Sequence, residues 1–475
     1  MAAAEDHHRI VMETYRRFID PAHPAPASIF VDPCHHELAT VINLQLEAPV
    51  ATIDVPVPEG EVETTVGGGL GIRTPSEIAP HAHVASWALT AHLIDGVPAL
   101  RGYAADVDMM VYGSELDKPA WVRAVQRAWR NSLTAIPPHH LIREQVKTLT
   151  EFAAEPISSL QSKLVKATDE ISYAHHRGIM MTPAQRVRFQ SLAHPIGSAY
   201  LLAIPYSPTS RCTNSQMRTM MQYTTGAPLT AQVGTRTCVK HHHMDIYGHH
   251  AIGLNCGSTF LHSSTGGYTN VRHNVLRDVI RDCAREAGYA PEIEPGALPG
   301  MRDDERGDIK IADFPETGQV AIVDVVVATL FDGRGMLRLG FLQPGAGAKK
   351  AERRKVEKYA RLEAPYHLVP FAIESYGRAG PAGSTFLKTL AQAATAHKLH
   401  DALSTVRAHS DFQRVYGSIV TRWRRQISLA LARSNADCVI RAVDNAKGGR
   451  FTVPLFGPGE DAYSMLERDA HVRPG

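Results

Sequence analysis

The chain has 475 residues, of which 44% are hydrophobic and 21% are charged. This length and composition predict two or three domains with sizeable cores and exclude a chain that is disordered throughout. The net charge is only +2 with histidines neutral, so any binding to nucleic acid requires a local basic surface. The six cysteines are widely spaced, which argues against a disulfide framework and favours a reducing, intracellular location.

The N-terminal half reads as two segments. Residues 1–66 are rich in proline, histidine and alanine and show only weak periodicity. Residues 67–235 predict a mainly helical connector region, in which a helix at 118–131 has one face rich in tryptophan and valine. The chain contains no signal peptide and no apolar run of about 18 residues, so we expect no membrane partner.

A cluster of cysteine and histidine residues follows at 236–262. Its candidate metal ligands are Cys238, His241, His250 and Cys256. Two, eight and five residues separate successive ligands, and this spacing with mixed nitrogen and sulfur donors suits a closed structural zinc site. Spacing does not separate His249 from His250, and a histidine-rich loop without metal is the alternative.

From residue 263 the pattern predicts a mixed α+β core at 263–378, followed by a helical region at 379–475. Residues 320–330 are almost continuously apolar and β-branched, which is typical of a central strand buried on both faces. The predicted order is helix, three strands, helix and strand, at 270–287, 289–294, 307–312, 320–330, 344–362 and 366–373. Two further helices are predicted at 386–403 and 415–432.

Two acidic residues fall on these predicted strands. Asp324 lies within the central strand, where an unpaired carboxylate costs several kcal/mol. Asp308, on the preceding strand, can reach the same point, and two neighbouring carboxylates repel unless a cation lies between them. Mg²⁺ or Mn²⁺ is the expected cation because both prefer oxygen ligands. The alternative is that the acids lie at strand ends and pair with arginines.

The helix at 344–362 supplies a candidate lysine. In restriction-like nucleases of the PD-(D/E)XK type, the lysine follows the second acid by two residues, where this chain has Val326. Lys355 shares a helix face with Tyr359 and Leu362, which predicts that it points inward. There it would orient the attacking water and stabilise charge in the transition state. The predicted solvated basic face contains Arg353, Arg354 and Lys358.

These motifs together resemble the C-terminal part of non-LTR retrotransposon reverse transcriptases that carry a restriction-like endonuclease. The resemblance rests on an ordered set: Tyr247-Gly248-His249-His250-Ala251, Arg272-His273-Asn274, Arg277-Asp278, Arg306-Gly307-Asp308, Asp324-Val325-Val326, Lys355-x-x-Lys358-Tyr359 and Pro370-Phe371-Ala372-Ile373-Glu374. It extends over roughly 67–440 and includes no polymerase. His241 stands where the family has cysteine, and Gly307 where it has proline.

The resemblance implies a restriction-endonuclease-like α/β core with a zinc-knuckle-like insertion, and a DNA substrate. The active-site residues expected from the motifs are Asp308, Asp324, Lys355, Lys358, Tyr359 and Glu374. The expected DNA contacts are Arg272, His273, Arg277, Arg281, Arg353 and Arg354. The Arg272-His273-Asn274 motif equally suits hydrogen bonds that fix the knuckle against the core.

The sequence thus predicts a Mg²⁺-dependent DNA endonuclease that also holds zinc. The alternative is a catalytically inactive DNA-binding remnant of a retroelement protein. Besides DNA, the expected partners are RNA or a separately supplied reverse transcriptase, and the expected location is the nucleus.

Overall fold

The computed structural model describes the regular elements of the chain and many of the segments that join them. The described residues are 52–56, 62–66, 75–98, 108, 120–134, 136, 148–154, 159–179, 182–204, 210–227, 229, 244–253, 268–302, 306–332, 337–338, 341–402 and 408–446. They fall into two compact units, and the division between these lies between residues 179 and 182. This division falls inside the predicted segment 67–235.

The described part of the first unit contains a β-hairpin and a set of helices. The hairpin pairs β1 (Thr52–Pro56) with β2 (Val62–Val66) in antiparallel orientation. The helices are α1 (Pro75–Asp95), α2 (Ala120–Thr134), α3 (Leu149–Ala154) and α4 (Leu160–Ile179). The buried His81 of α1 joins them through hydrogen bonds with Ser132 (2.6 Å) and Thr168 (2.8 Å). The helix predicted at 118–131 is confirmed.

The first described elements of the second unit are short helices, and two of them begin at sequence motifs that cap helices. They are α5 (Pro183–Leu192), a 3₁₀ turn (Ala199–Leu202), α6 (Asn214–Thr225) and α7 (His249–Ile252). α5 and α6 each start at a threonine followed three residues later by a glutamine, and both threonines form complete capping boxes. The side chain and backbone of each pair satisfy N–H groups that a helix start otherwise leaves without partners.

The remaining elements of the second unit follow in the predicted order. They are α8 (Tyr268–Glu286), β3 (Glu292–Ile293), β4 (Ile309–Ala312), β5 (Val320–Ala328), α9 (Ala346–Lys358), β6 (Tyr366–Glu374), α10 (Pro381–Ala402) and α11 (Ala408–Ala446). The fold is therefore mixed α+β and mostly helical, which confirms the predicted class. Across the described ranges, no helix is long and apolar enough to cross a membrane.

A four-stranded sheet in the order β3-β4-β5-β6 forms the centre of this unit. β3 and β5 both pair with β4 in antiparallel orientation, whereas β6 pairs with β5 in parallel. The parallel connection runs through α9, because a parallel strand pair needs a long crossover. β5 is thus an inner strand, and residues 321–325 are all buried, as its apolar sequence predicts.

The two faces of β5 contact different parts of the unit. Ala321, Val323 and Val325 belong to the main core, to which α8, α10 and α11 also contribute apolar side chains. Ile322, which points the other way, packs with Tyr359 just beyond α9. Because successive strand residues alternate between faces, Asp324 lies on the same side as Ile322. The sheet therefore presents its buried acid toward α9.

Glu286 connects three helices at the C-terminal end of α8. Its carboxylate accepts hydrogen bonds from Lys398 (2.6 Å) on α10, and from Arg422 and Trp423 (2.8 Å) on α11. Burial alone would raise the pKa of Glu286, but these three donors outweigh it and lower the pKa to about 2. The ionised form of Glu286 is therefore favoured by folding.

We expect Glu286→Gln to lower the free energy of unfolding at neutral pH by about 1–2 kcal/mol, a value reduced for partial solvent screening. A depressed pKa stabilises the fold above the unfolded value of about 4.3, and this stabilisation disappears as pH falls toward 2. Urea unfolding followed by near-UV circular dichroism from pH 7 to pH 2 measures the effect. The exposed Glu357→Gln on α9 is the control. A stability difference that stays constant over this range contradicts the assignment.

Candidate active site

Asp308 reaches the backbone of β5 on both sides of Asp324. Its backbone N–H donates to the Val323 carbonyl (3.0 Å), and its carboxylate accepts the Val325 N–H (2.6 Å). A side chain, rather than a backbone carbonyl, therefore satisfies this N–H of the inner strand. The result is that Asp308, immediately before β4, lies next to Asp324 within β5. The sequence predicts this proximity but places Asp308 on the strand itself.

Asp308 is held by two donors. His273 of α8 donates from Nε2 to Oδ1 (3.0 Å), while the Val325 N–H occupies Oδ2. Burial by itself would raise the pKa of Asp308, but the His273 and Val325 hydrogen bonds and the positive charge of Lys355 lower it below its ordinary value. Asp308 is therefore ionised at neutral pH. Its partner His273 was predicted to contact DNA and instead contacts this acid.

Asp324 is almost completely buried, with 3% of its surface exposed, and its partner is Lys355. The Lys355 Nζ lies 2.6 Å from Asp324 Oδ1. Burial raises the pKa of Asp324, the Lys355 ammonium opposes this shift, and the Asp308 carboxylate adds to it, so the pKa lies above its ordinary value. Burial and a neighbouring carboxylate therefore both oppose the ionisation of Asp324.

Lys355 points inward from α9, and its basic neighbours point outward. The predicted direction of Lys355 is confirmed, since its side chain is only 25% exposed. Arg353, Arg354 and Lys358 are exposed, and the Lys358 ammonium lies 5.0 Å from the ring centroid of Tyr359. The structure therefore separates one lysine at the acids from a basic surface on the same helix.

Tyr359 is buried directly after α9 and lies close to both acids. Its single hydroxyl hydrogen can be donated to the Arg306 carbonyl, two residues before Asp308, or to Asp324, and the contact with Asp324 opposes the rise in the pKa of this acid. Tyr359 therefore contacts the candidate site, as the motif implies. Its burial leaves it better placed to orient Asp324 than to meet a large substrate.

Glu374, which the motifs place among the active-site residues as a supporting group, does not join the two acids. It aligns with Ala328 at the end of β6, four residues beyond Asp324 along β5, or about 13 Å. Its fully buried carboxylate accepts hydrogen bonds from Ser191 (2.9 Å) and from the Gly347 N–H (3.1 Å). Burial raises the pKa of Glu374, and these donors oppose the shift.

Glu374 instead caps the helix that carries Lys355. Gly347 belongs to the first turn of α9, where N–H groups lack intrahelical partners and favour negative charge.

A second buried acid, Glu352 on α9, caps the next helix in the same way. Its carboxylate accepts the Gly383 N–H (3.2 Å) in the first turn of α10. A Cβ on Gly380 would lie 2.1 Å from Glu352 Oε1, so glycine leaves the space for this carboxylate. Two buried acids thus set the position of α9.

Most of the arginines that were predicted to contact DNA are occupied within the protein. Arg272 is 2% exposed and donates to Asn435 Oδ1 (3.0 Å), so its burial favours the alternative structural role of the Arg272-His273-Asn274 motif. Arg277 is 8% exposed and pairs with Asp278 and Glu294. Arg281 pairs with Asp278 and Asp282. Arg277 and Arg281 of α8 therefore form internal ion pairs rather than a free basic surface.

Gly307 is explained by close packing. A Cβ at this position would lie 2.3 Å from Ile322 Cγ2 on β5, far inside normal carbon–carbon contact distances. A proline, which the family resemblance leads one to expect here, would also require Ile322 to move. Glycine lets the chain pass β5 closely immediately before Asp308.

The predicted zinc site lies mostly outside the described residues. Cys238, His241 and Cys256 belong to the segments that the structure does not describe. Of the two adjacent histidines, His249 forms a hydrogen bond through Nε2 with the Tyr376 hydroxyl (2.8 Å), and its Nδ1 lies 3.2 Å from Asp245 Oδ1. His250 is buried at the start of α7. These contacts favour His250 over His249 as the candidate ligand, and zinc itself stays a prediction.

The acidic pair suits a hard divalent cation. Within the described segments, no group of three or more His, Cys, Asp or Glu side chains could hold a metal ion. Mg²⁺ needs fewer protein ligands, because it commonly binds through one or two carboxylates and keeps several waters. Burial and the neighbouring Asp308 carboxylate raise the pKa of Asp324, and a bound cation would oppose this shift. Asp308 and Asp324 therefore fit such a cation by donor type and by electrostatics.

Comparison with known proteins adds no assignment, since no family model and no curated protein matches the chain.

We expect Lys355→Met to lower the free energy of unfolding by about 2 kcal/mol, less than for a fully buried pair, because the ammonium is partly exposed. Asp308→Asn in the same chain should recover about 1 kcal/mol, since it removes the charge next to the unpaired Asp324. Lys358→Met, the exposed control, should change stability by less than about 0.5 kcal/mol. Urea unfolding measures all three, and equal effects of the two lysine substitutions would contradict the pairing.

Proposed function

We propose that this protein is a divalent-metal-dependent DNA endonuclease that hydrolyses phosphodiester bonds. The observation that carries the proposal is the placement of Asp308 and Asp324 side by side, with the Lys355 ammonium 2.6 Å from Asp324. An acid on an inner strand is costly to bury, and a fold does not need one there for stability. The order of elements around the pair also agrees with the restriction-endonuclease-like core that the resemblance implies.

The residues divide the chemistry between them. Asp308 and Asp324 would hold the cation, which when bound lowers the pKa of water and neutralises phosphate charge. Lys355, partly exposed beside Asp324, would orient the attacking water and stabilise charge that develops on the phosphate. Tyr359 fixes Asp324, and Glu374 fixes the start of the helix from which Lys355 projects.

DNA is the proposed substrate because a basic surface lies next to Lys355. Its exposed members on α9 are Lys349, Lys350, Arg353, Arg354 and Lys358. With a net charge of only +2, the chain would have to concentrate its phosphate contacts in one place. The exposed basic residues of α9 offer such a concentration near the acids. The resemblance to retrotransposon endonucleases supports the same substrate.

One observation favours the second candidate function, a DNA-binding remnant without catalysis. Both acids already have basic partners in the protein, His273 for Asp308 and Lys355 for Asp324. These contacts could stabilise the pair without any metal. Both functions use the basic surface of α9 to bind DNA. They differ in whether the two acids hold a metal and support cleavage.

We expect the protein to nick or cut supercoiled plasmid in the presence of Mg²⁺ or Mn²⁺. Asp308→Asn and Asp324→Asn should each reduce the rate by at least about 100-fold, and the double variant should be no slower, because the two acids act as one site. DNA affinity, measured by fluorescence anisotropy, should change little. Wild type that binds DNA but does not cleave it with either metal supports the remnant, and full cleavage by either variant refutes the site.

The basic surface makes a separate prediction about salt. Each phosphate that a protein neutralises contributes about −0.9 to the slope of log affinity against log salt. Arg353→Gln with Arg354→Gln should therefore flatten this slope by about 2. The matched control is Arg285→Gln with Arg414→Gln, two exposed arginines on α8 and α11. If both pairs of substitutions change the slope equally, the effect is one of general charge. If the slope is unchanged in the variant of Arg353 and Arg354, these two arginines do not contact phosphate.

A further inference from the structure

His273 lies where it controls the orientation of Asp308. A carboxylate can only accept hydrogen bonds when ionised, so the 3.0 Å contact means that His273 Nε2 carries a proton and donates it to Oδ1. The Val325 N–H donates to the other oxygen, Oδ2. These two donors, one on each oxygen, fix the rotation of the carboxylate about the bond to its Cβ. The His273 contact thus adds a second restraint to the one that the Val325 N–H supplies.

His273 is itself held by its neighbour in the sequence. Arg272 is buried and donates to Asn435 Oδ1 on α11 (3.0 Å). Asn435 Nδ2 donates in turn to the Ser375 carbonyl just after β6 (2.8 Å). The apolar face of α8 also packs in the core beneath the sheet, through Leu276 and Ile280. The first turns of α8 therefore have little freedom to move relative to the strands.

One ring nitrogen of His273 is already used within the protein. Its side chain is 30% exposed, and Nε2 is bonded to Asp308. A histidine in this position acts on the acid, and only through the acid on anything bound there. Residues that orient ligands in this way commonly change metal affinity or activity by about 10- to 100-fold when replaced.

We propose that His273 is a positioning residue of the cation site, which holds the Asp308 carboxylate in the orientation that binds a divalent metal. This inference rests on the proposed function. It assigns the histidine of the Arg272-His273-Asn274 motif to the acidic pair rather than to DNA.

The experiment compares three substitutions that differ in reach. A glutamine places an amide N–H near the position of Nε2, whereas asparagine is shorter and alanine has no donor. Mn²⁺ binding to the full chain is measured by isothermal titration calorimetry. We expect His273→Ala and His273→Asn to weaken Mn²⁺ binding by about 10- to 100-fold and His273→Gln to restore it to within a few-fold. DNA affinity without metal should be the same in all forms, and circular dichroism checks their folding.

The outcomes separate this inference from the proposed function. Unchanged Mn²⁺ binding by a folded His273→Ala overturns the positioning role while leaving the acids as the metal site. Equal losses in all three variants, glutamine included, show that the ring acts by packing and also overturn it. A loss of DNA affinity that matches the loss of metal affinity shows a phosphate contact instead. Wild type that binds no Mn²⁺ refutes the proposed function, and the inference with it.

Discussion

Two carboxylates placed next to each other in a mostly buried site are the constraint on which this unit depends. Asp324 sits on an inner strand with 3% of its surface exposed, and Asp308 hydrogen bonds to the backbone on both sides of it. Like charges at such a point destabilise the fold unless positive charge and donors surround them. The surrounding elements supply these from two directions, with His273 from α8 and Lys355 from α9.

The position of Lys355 depends in turn on buried acids outside the candidate site. Glu374 accepts N–H groups at the start of α9, and Glu352 on α9 does the same for α10. Each carboxylate lies where a helix start favours negative charge, so the backbone offsets part of the cost of its burial. α9 is therefore fixed at its beginning by β6 and along its length by α10. A lysine on a helix held in this way has a fixed position beside Asp324.

Local patterns in the sequence predicted much of the second unit. The β-branched run of β5 and the inward face of α9 were readable because strand and helix periodicities determine which side chains point inward. The roles of Glu374 and Arg272 were not readable. Their partners, Ser191 and Asn435, are 183 and 163 residues away in the chain, and no periodicity relates residues so distant. His273 was grouped with the residues expected to contact DNA, because spacing alone does not show that the fold brings Asp308 next to it.

We propose that Asp308 and Asp324 together hold a divalent cation. Fe²⁺ that replaces Mg²⁺ in such a site reduces added hydrogen peroxide to hydroxide and a hydroxyl radical, and added ascorbate returns the Fe³⁺ to Fe²⁺. The radicals cut the polypeptide close to the metal. Mapping these cuts in the full chain tests where the metal binds, whether or not the protein cleaves DNA. We expect cuts near residues 308 and 324. Excess Mg²⁺ should suppress these cuts, and Asp324→Asn should abolish them. Cuts confined to other segments, or cuts near both residues that persist in Asp324→Asn, would contradict this proposal.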